Sequence, residues 1–274
     1  MRAFLCIKMD IKIVVATHKN YEMPKDPMYL PLQVGAEDHL SLDGNFARDN
    51  TGDHISRKNP VYCELTGLYW AWKNLDCDAY GLVHYRRGFT TKSKGFIRKN
   101  GRFASVLSYD EADRLLCDFD MIVPSKRRYY IETLYDHYAH TLDAKHLDVA
   151  KDLIGEICPE YLPFVKKAYS KKWGYMFNMF VGKKAYADAY LKWLFEILFE
   201  LEKRIPTQGY TPFQKRYIGR VSEILFNVWI EKQLVDGMKI CEVPYLPMED
   251  EHMAKKAVAF LKAKFFGKKY KESF

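Results

Sequence analysis

The side chains best suited to chemistry on an anion stand together in His84-Tyr85-Arg86-Arg87. A guanidinium group is planar and permanently charged, and it can hold a phosphate through two parallel hydrogen bonds. The four residues follow the apolar run 80–83, which predicts a buried strand. Since ligands of open α/β sheets sit beyond the carboxyl ends of the strands, the sequence predicts an anion site at this strand end. Along a continuing strand His84 and Arg86 would share a face, and Arg87 would reach the anion where the chain turns.

A second polar segment, Thr17-His18-Lys19, follows the apolar run 11–16 that predicts the first strand. Nucleotide-binding α/β domains begin in this way, so the three residues are candidates for binding a base and ribose. A solvated turn between a strand and a helix is an equal alternative. The absence of a GxGxxG motif argues against a dinucleotide site.

The elements that must position these residues alternate strand and helix patterns. Residues 21–58 predict a long ordered loop with a functional role. Asn59 and Pro60 then predict the N-cap and first residue of a helix that ends near Asn74. The order predicts an α/β fold, with a mixed sheet flanked by helices and a helical C-terminal part. Further patterns predict strands at 120–124, 173–184 and 238–243, and helices at 131–168, 185–204 and 221–230.

Composition narrows the class of partner. The net charge of +8 favours anionic partners. No helix-turn-helix, zinc-finger or ribonucleoprotein motif is present, so we expect no nucleic acid partner. The 6 cysteines form no CxxC pair, which argues against zinc ribbons and thioredoxin chemistry. Several lie in apolar contexts, and reduced thiols together with the lack of a secretory signal predict a cytoplasmic protein.

The C-terminal residues 253–274 alternate apolar residues with lysines, which predicts a basic amphipathic tail. Peripheral contact with the inner face of the plasma membrane and a plain solvated helix are equal alternatives for this tail. No apolar run reaches the length of about 20 residues that a membrane-spanning helix needs.

The tract 59–89, which contains NPVYCELTGLYWAWKN and GLVHYRRGF, resembles the signature of a bacterial family of capsule and exopolysaccharide biosynthesis. THK, QVGA, DNTGDHIS and NMFVGKK are further similar segments. The family was long catalogued as a domain of unknown function, and some of its members are assigned as galactofuranosyltransferases. The resemblance implies a single domain over residues 1–252 with a GT-A-like glycosyltransferase fold. Its donor half would span about 9–125 and its acceptor half about 126–252.

The resemblance also implies a reaction, which is inverting transfer of a sugar from a nucleotide-sugar donor to a glycan or lipid-linked oligosaccharide acceptor. The donor that the resemblance implies is UDP-galactofuranose. Such a reaction needs a group that stabilises the leaving diphosphate and a carboxylate that takes the acceptor's proton. We assign Arg86 and His84 to the first task and Glu223 to the second. The remaining predicted residues are Thr17, His18, Lys19, Gly35, Asn59, Tyr85 and Arg87 for the donor, and Asn178, His140 and Trp173 for the acceptor.

Metal dependence stays open at this point. Many glycosyltransferases hold a divalent cation through a DxD motif, and here His84-Tyr85-Arg86-Arg87 stands in its place. Asp76-Cys77-Asp78 precedes the strand, so a solvated turn is the favoured interpretation of that segment. We therefore predict no metal ligands, with Mn²⁺ or Mg²⁺ as the alternative. A non-catalytic nucleotide- or carbohydrate-binding module is the main competing class.

Overall fold

A nine-stranded mixed sheet forms the centre of the protein, whose computed structural model describes residues 8–250. A separate two-stranded ribbon lies beside it. The strands are β1 (Ile11–Thr17), β2 (Tyr29–Gln33), β3 (Ala47–Arg48), β4 (Ala79–His84), β5 (Arg87–Phe89), β6 (Met121–Pro124), β7 (Arg127–Arg128), β8 (Trp173–Gly174), β9 (Phe180–Lys183), β10 (Ile240–Val243) and β11 (Tyr245–Pro247).

Most strands of the main sheet run in one direction. The order is β10-β6-β9-β4-β1-β2-β3, and β9 is antiparallel to both of its neighbours. The pairs β1–β2, β1–β4, β2–β3 and β6–β10 are parallel. The carboxyl ends of β1, β2, β4, β6 and β10 therefore meet at one edge, which we call the carboxyl edge. This arrangement confirms the predicted α/β fold with a mixed sheet.

Helices cover both faces of the sheet and fill most of the second half of the chain. Short 3-10 turns lie at Ser56–Lys58, Phe103–Ser105 and Pro159–Tyr161. The helices are α1 (Asn59–Tyr62), α2 (Leu65–Asn74), α3 (Lys94–Asn100), α4 (Tyr109–Asp118), α5 (Leu134–Thr141), α6 (Lys145–Ile157), α7 (Leu162–Tyr169), α8 (Lys184–Arg204), α9 (Pro212–Lys215) and α10 (Tyr217–Val235).

Strand β4 is the central strand because it is buried on both faces. Its side chains alternate, with Tyr80 and Leu82 in one apolar core and Ala79 and Val83 in the other. Gly81 is required by the close approach of β9, since a Cβ atom there would lie 1.8 Å from the carbonyl oxygen of Phe180. The apolar run therefore holds its polar end, His84, at a fixed place on the carboxyl edge.

Three predicted elements are wrong in detail. The loop 21–58 contains β2 and β3, which extend the parallel sheet. The helix predicted from Asn59 to Asn74 is broken at Cys63, whose φ of 54° and ψ of −135° are not helical. The strand predicted over 173–184 is interrupted, because Phe177 and Asn178 have left-handed φ angles of 76° and 52°.

Among the described cysteines, Cys63, Cys77, Cys158 and Cys241 are free, as the prediction of reduced thiols expects, whereas Cys117 is disulfide-bonded. The predicted tail, 253–274, lies outside the described residues. Within residues 8–250, no helix has both the length and the apolar character needed to cross a bilayer.

Candidate active site

The cluster His84-Tyr85-Arg86-Arg87 forms a tight hairpin at the carboxyl edge. His84, the last residue of β4, pairs with Arg87, the first residue of β5. Tyr85 and Arg86 are therefore the two central residues of the turn. The prediction that His84 and Arg86 share a strand face is wrong, because the strand ends at His84. The turn instead exposes Arg86 and leaves Arg87 half-buried.

Arg86 carries the exposed charge of this hairpin. Its guanidinium carbon lies 5.4 Å from the ring centre of Tyr85. Within residues 8–250 its side chain makes no ion pair or hydrogen bond, whereas its backbone carbonyl accepts a hydrogen bond of 2.9 Å from Met248. The main chain is thus held while the guanidinium stays available to a ligand.

His84 is half-buried and acts as a positioning group. Its Nε2 donates to the backbone carbonyl of Phe177 at 2.6 Å. Burial is the largest effect and lowers the pKa of His84. The charge of Glu64 and the hydrogen bond to Phe177 oppose it, and the charges of Arg87 and Arg86 add to it. The imidazole is neutral at pH 7, so its contribution is to hold the Phe177 loop against the hairpin.

Phe177 and Asn178 form the next wall of the site. The guanidinium carbon of Arg87 lies 4.5 Å from the ring centre of Phe177. The Asn178 amide donates to Glu64 Oε1 at 2.7 Å and to the Gly219 carbonyl at 3.1 Å, and its oxygen accepts from Ser222 at 2.9 Å. Asn178 is only 2% exposed, so its amide ties the surrounding elements together.

Two carboxylates, Glu64 and Glu223, face the same space. Glu64 follows the kink at Cys63, which turns it toward Asn178. Glu223 lies in α10 and accepts a hydrogen bond from the backbone N–H of Phe177. Burial raises the pKa of Glu223, and the nearby Glu64 raises it further, while Arg220 and Arg127 oppose this effect. A carboxyl group with a raised pKa is suited to accepting a proton near neutral pH.

The kink at Cys63 is connected to the loop after β2. The Asn59 side chain donates to the Cys63 carbonyl at 2.8 Å and to Thr66 Oγ1 at 3.2 Å, so Asn59 is not the N-cap that the sequence predicted. Gly35 packs against Asn59 so closely that a Cβ atom would lie 2.8 Å from the amide oxygen, and its φ of +67° also favours glycine. Gly35 therefore packs against Asn59, and Asn59 holds the kink that positions Glu64.

A buried carboxylate, Asp49, shapes the same loop. Its oxygens accept hydrogen bonds of 2.9 Å from the backbone N–H groups of Gly35 and Ala36, and a further one from Ser56. Asp49 is fully buried. The sequence motif DNTGDHIS that begins at Asp49 thus serves to fix the loop 34–36.

The segment Thr17-His18-Lys19 lies beside the hairpin, because β1 and β4 are neighbouring parallel strands. Thr17 is buried and its hydroxyl donates to the Lys19 carbonyl at 2.7 Å, so it shapes the turn. The ring centres of His18 and Tyr85 are 5.4 Å apart, and Lys19 Nζ lies 5.1 Å from the Tyr85 ring centre. The pKa of His18 is lowered first by partial burial and then by the charges of Arg86, Lys19 and Arg216. Positive charge therefore accumulates around this end of β1 and β4.

His140 belongs to a cluster that the sequence analysis missed. The buried carboxylate of Glu132 accepts from Nδ1 of His140 at 2.9 Å and from Nδ1 of His137 at 3.1 Å. Burial lowers the pKa of His137 to about 4, and the charges of Arg127 and Arg220 add to this effect. The sequence feature that could have revealed this cluster is the capping box at Thr133. It starts α5 and places His137 and His140 on one helical face.

Trp173 lies apart from the hairpin. Its ring is flanked by Lys171 and Lys126, whose Nζ atoms lie 4.1 and 4.4 Å from the ring centre. Lys171 pairs with Glu231, eight residues beyond Glu223 in α10, which corresponds to about 12 Å along the helix axis. The structure therefore brings together the hairpin, the β1 turn, Asn59 and Glu223, but it does not bring Trp173 to them.

No metal site accompanies these groups among residues 8–250, where no three His, Cys, Asp or Glu side chains are grouped so that they could hold an ion. The carboxyl edge instead presents guanidinium groups, which repel a cation. The residues present therefore fit an anionic ligand better than a metal ion.

Comparison with known proteins assigns this mixed α/β sheet, with its cationic hairpin at the carboxyl edge, to a glycosyltransferase-like fold. The chain is similar to WbbM, described as a bifunctional glycosyltransferase in its apo structure, with 31% identity and a TM-score of 0.80 over 88% of this chain. The chain covers 46% of that protein. Residues 12–234 match the model of a domain of unknown function, DUF4422, and the chain belongs to this family. No curated protein matches the chain.

Proposed function

We propose that this protein is a glycosyltransferase that uses a nucleotide-sugar donor. The observation that carries the proposal is that the hairpin and a buried carboxylate of raised pKa, Glu223, meet at Phe177: His84 and Arg87 contact this residue from one side, and Glu223 accepts its N–H. The same hairpin presents Arg86, an exposed guanidinium without an ion pair among residues 8–250. Glycosyl transfer needs these two groups, one for the leaving diphosphate and one for the attacking hydroxyl. A binding module has no use for a buried carboxylate whose ionisation costs stability.

In the proposed reaction the acceptor hydroxyl gives its proton to Glu223 while its oxygen attacks the anomeric carbon. The bond to the diphosphate breaks on the opposite face, which inverts the configuration. Arg86 and Arg87 take up the charge that develops on the leaving oxygen. His18, Lys19 and Tyr85 line the donor side, with Thr17, Gly35 and Asn59 as their supports. His84 and Asn178 position the Phe177 loop.

The identities of the donor sugar and of the acceptor are proposed from the family resemblance. We propose UDP-galactofuranose as the donor and a glycan or lipid-linked oligosaccharide as the acceptor, in capsule, exopolysaccharide or O-antigen synthesis on the cytoplasmic side of the membrane. His140 lies on the acceptor side, where its exposed ring edge would meet sugar hydroxyl groups. Trp173 is proposed for the acceptor as well, with its ring between Lys126 and Lys171.

A panel of nucleotide sugars tests this proposal. A donor that binds the folded protein raises the midpoint of thermal unfolding by mass action, and a turned-over donor releases its nucleoside diphosphate. We expect one donor to do both in the presence of an acceptor glycan. Thermal stabilisation without any release of diphosphate, for every donor and acceptor tried, would favour the binding-module alternative.

Metal independence is a separate prediction. Because Arg86 and Arg87 supply the positive charge, we expect turnover to be unchanged in excess EDTA. The measurement is the initial rate before and after chelation and after readdition of Mn²⁺ or Mg²⁺. A loss of activity that either ion restores would contradict the arginine mechanism.

Replacement of Asn59 by alanine removes both hydrogen bonds that support the Cys63 kink. We expect the free energy of unfolding to fall by about 1–3 kcal/mol and the turnover of the folded fraction to fall as well, since Glu64 loses its support. Asn74→Ala is the matched control. The Asn74 amide likewise donates two hydrogen bonds, here to the backbone carbonyls of Trp70 and Asp53, and it accepts one from Asp53 N–H, all at the far end of α2. Equal turnover in the two variants, each corrected for its folded fraction, would show that the Cys63 kink does not contribute to catalysis.

A further inference from the structure

An exposed apolar turn projects from the ribbon formed by β7 and β8. Tyr130 and Ile131 follow β7, and they are 77% and 51% exposed. Tyr130 has a φ of 58°, a left-handed conformation that is unfavourable for a bulky side chain. The turn is held by backbone hydrogen bonds, from Tyr129 to the Lys172 carbonyl at 2.8 Å and from Leu134 to the Lys171 carbonyl at 2.7 Å. The backbone thus keeps two large apolar side chains in solvent.

Cations surround this turn. Arg127, Arg128 and Lys172 are exposed, and none of the three forms an ion pair within residues 8–250, although the charge of Arg127 acts on the buried Glu223. The nearest acids are occupied, since Glu132 is buried beneath two histidines and Asp136 caps the start of α5. We call the set Arg127, Arg128, Tyr130, Ile131 and Lys172 the basic lip.

Three other exposed apolar side chains lack this setting. Leu40 is 92% exposed but lies in a loop with Glu37, Asp38 and Asp43. Leu234 and Val235, which are 40% and 68% exposed, lie beside the ion pair of Lys232 with Asp236. Phe96 of α3, which is 41% exposed, also lies among basic residues, but it is a single apolar side chain. The basic lip therefore differs from these positions in combining two adjacent exposed apolar side chains with exposed cations.

The lip also adjoins the acceptor side of the candidate active site. The guanidinium carbon of Arg127 lies 5.9 Å from the ring centre of Phe177, and its charge lowers the pKa of His137. A surface bound at the lip would consequently be close to an acceptor entering past His140.

We propose that the basic lip docks the protein onto an anionic lipid bilayer. Stable interfacial binding requires two contributions. Apolar side chains enter the headgroup region, and flanking cations attract the anionic lipids. Tyr is well suited to this depth because its ring is apolar and its hydroxyl is polar. The proposal goes beyond the proposed function, because binding to a bilayer is independent of the transfer reaction.

Vesicle flotation of the full chain tests the lip without any donor or acceptor. The variant Tyr130→Asn/Ile131→Ser keeps the left-handed turn, which asparagine tolerates, and removes the apolar surface. Leu234→Asn/Val235→Ser is the matched control, since it removes apolar surface of the same kind elsewhere. We expect the wild type to bind vesicles that contain phosphatidylglycerol, the lip variant to bind about fivefold more weakly or worse, and the control to bind like the wild type.

The vesicle-binding results decide whether the basic lip binds the bilayer. Weaker binding of the wild type at high salt and to pure phosphatidylcholine vesicles would support the role of the lip cations. Equal binding of the lip variant and the wild type would overturn the proposal and assign any membrane contact to another part of the chain. Failure of the wild type to float with anionic vesicles would also overturn it, and an acidic protein partner would then be the better candidate for this surface.

Discussion

Replacing Arg86 with alanine is expected to reduce turnover by about 10²–10³-fold, the usual effect of removing one donor that stabilises developing negative charge. The fold should be unaffected, because the Arg86 side chain is exposed and makes no hydrogen bond or ion pair within residues 8–250. The measurements are the rate of diphosphate release and the midpoint of thermal unfolding.

Two further variants make this result interpretable. Arg98→Ala removes the same charge from the exposed end of α3 and should leave turnover unchanged. Arg86→Lys keeps the charge but loses the planar fork, so we expect it to recover only part of the lost rate. Wild-type turnover in Arg86→Ala would show that the hairpin charge does not serve the leaving group.

Replacing Glu223 with glutamine is expected to reduce turnover by about 10²–10⁴-fold, the range for loss of a general base. Thermal stability should not fall. The amide oxygen of glutamine can still accept the hydrogen bond from Phe177 N–H, and the cost of burying an ionised carboxyl is removed. A large loss of both activity and stability would indicate a structural role for Glu223.

The raised pKa of Glu223 also gives this prediction a pH dependence. The folded protein holds the proton of Glu223 to higher pH than the unfolded chain does, so ionisation of Glu223 destabilises the fold as pH rises above its ordinary pKa of 4.5. The stability of Glu223→Gln relative to wild type should therefore increase with pH and then level off. Turnover of the wild type should fall on the acid side at a pH above 4.5, because the base must be ionised to act.

The part of this site that lies at strand ends could be predicted from the sequence. The apolar run of β4 is bounded by a polar cluster, and parallel strands place such clusters at one edge. The N-terminal turn at Thr17 was found by the same reasoning. Both predictions depend on local pattern and on a general rule of topology, and neither requires knowledge of a contact.

The remaining part depends on tertiary contacts that local pattern does not carry. The aromatic run around Phe177 and Asn178 has strand propensity, yet hydrogen bonds to Glu64, Gly219 and Ser222 hold Asn178 in a left-handed conformation. The kink at Cys63 interrupts a sequence with helical periodicity because the Asn59 amide satisfies the freed carbonyl. Such irregularities are expected at functional sites, where local preference is overridden.

We propose that cationic side chains at the hairpin, and not a metal ion, support glycosyl transfer from a nucleotide sugar. The most direct measurement is the initial rate of nucleoside diphosphate release and glycosidic bond formation in excess EDTA, for the wild type and for Arg86→Ala. We predict rapid, matched formation of both products by the wild type and a loss of about 10²-fold or more in the variant. Absence of both products in EDTA, with recovery on addition of Mn²⁺, or equal rates for the two proteins would contradict the account.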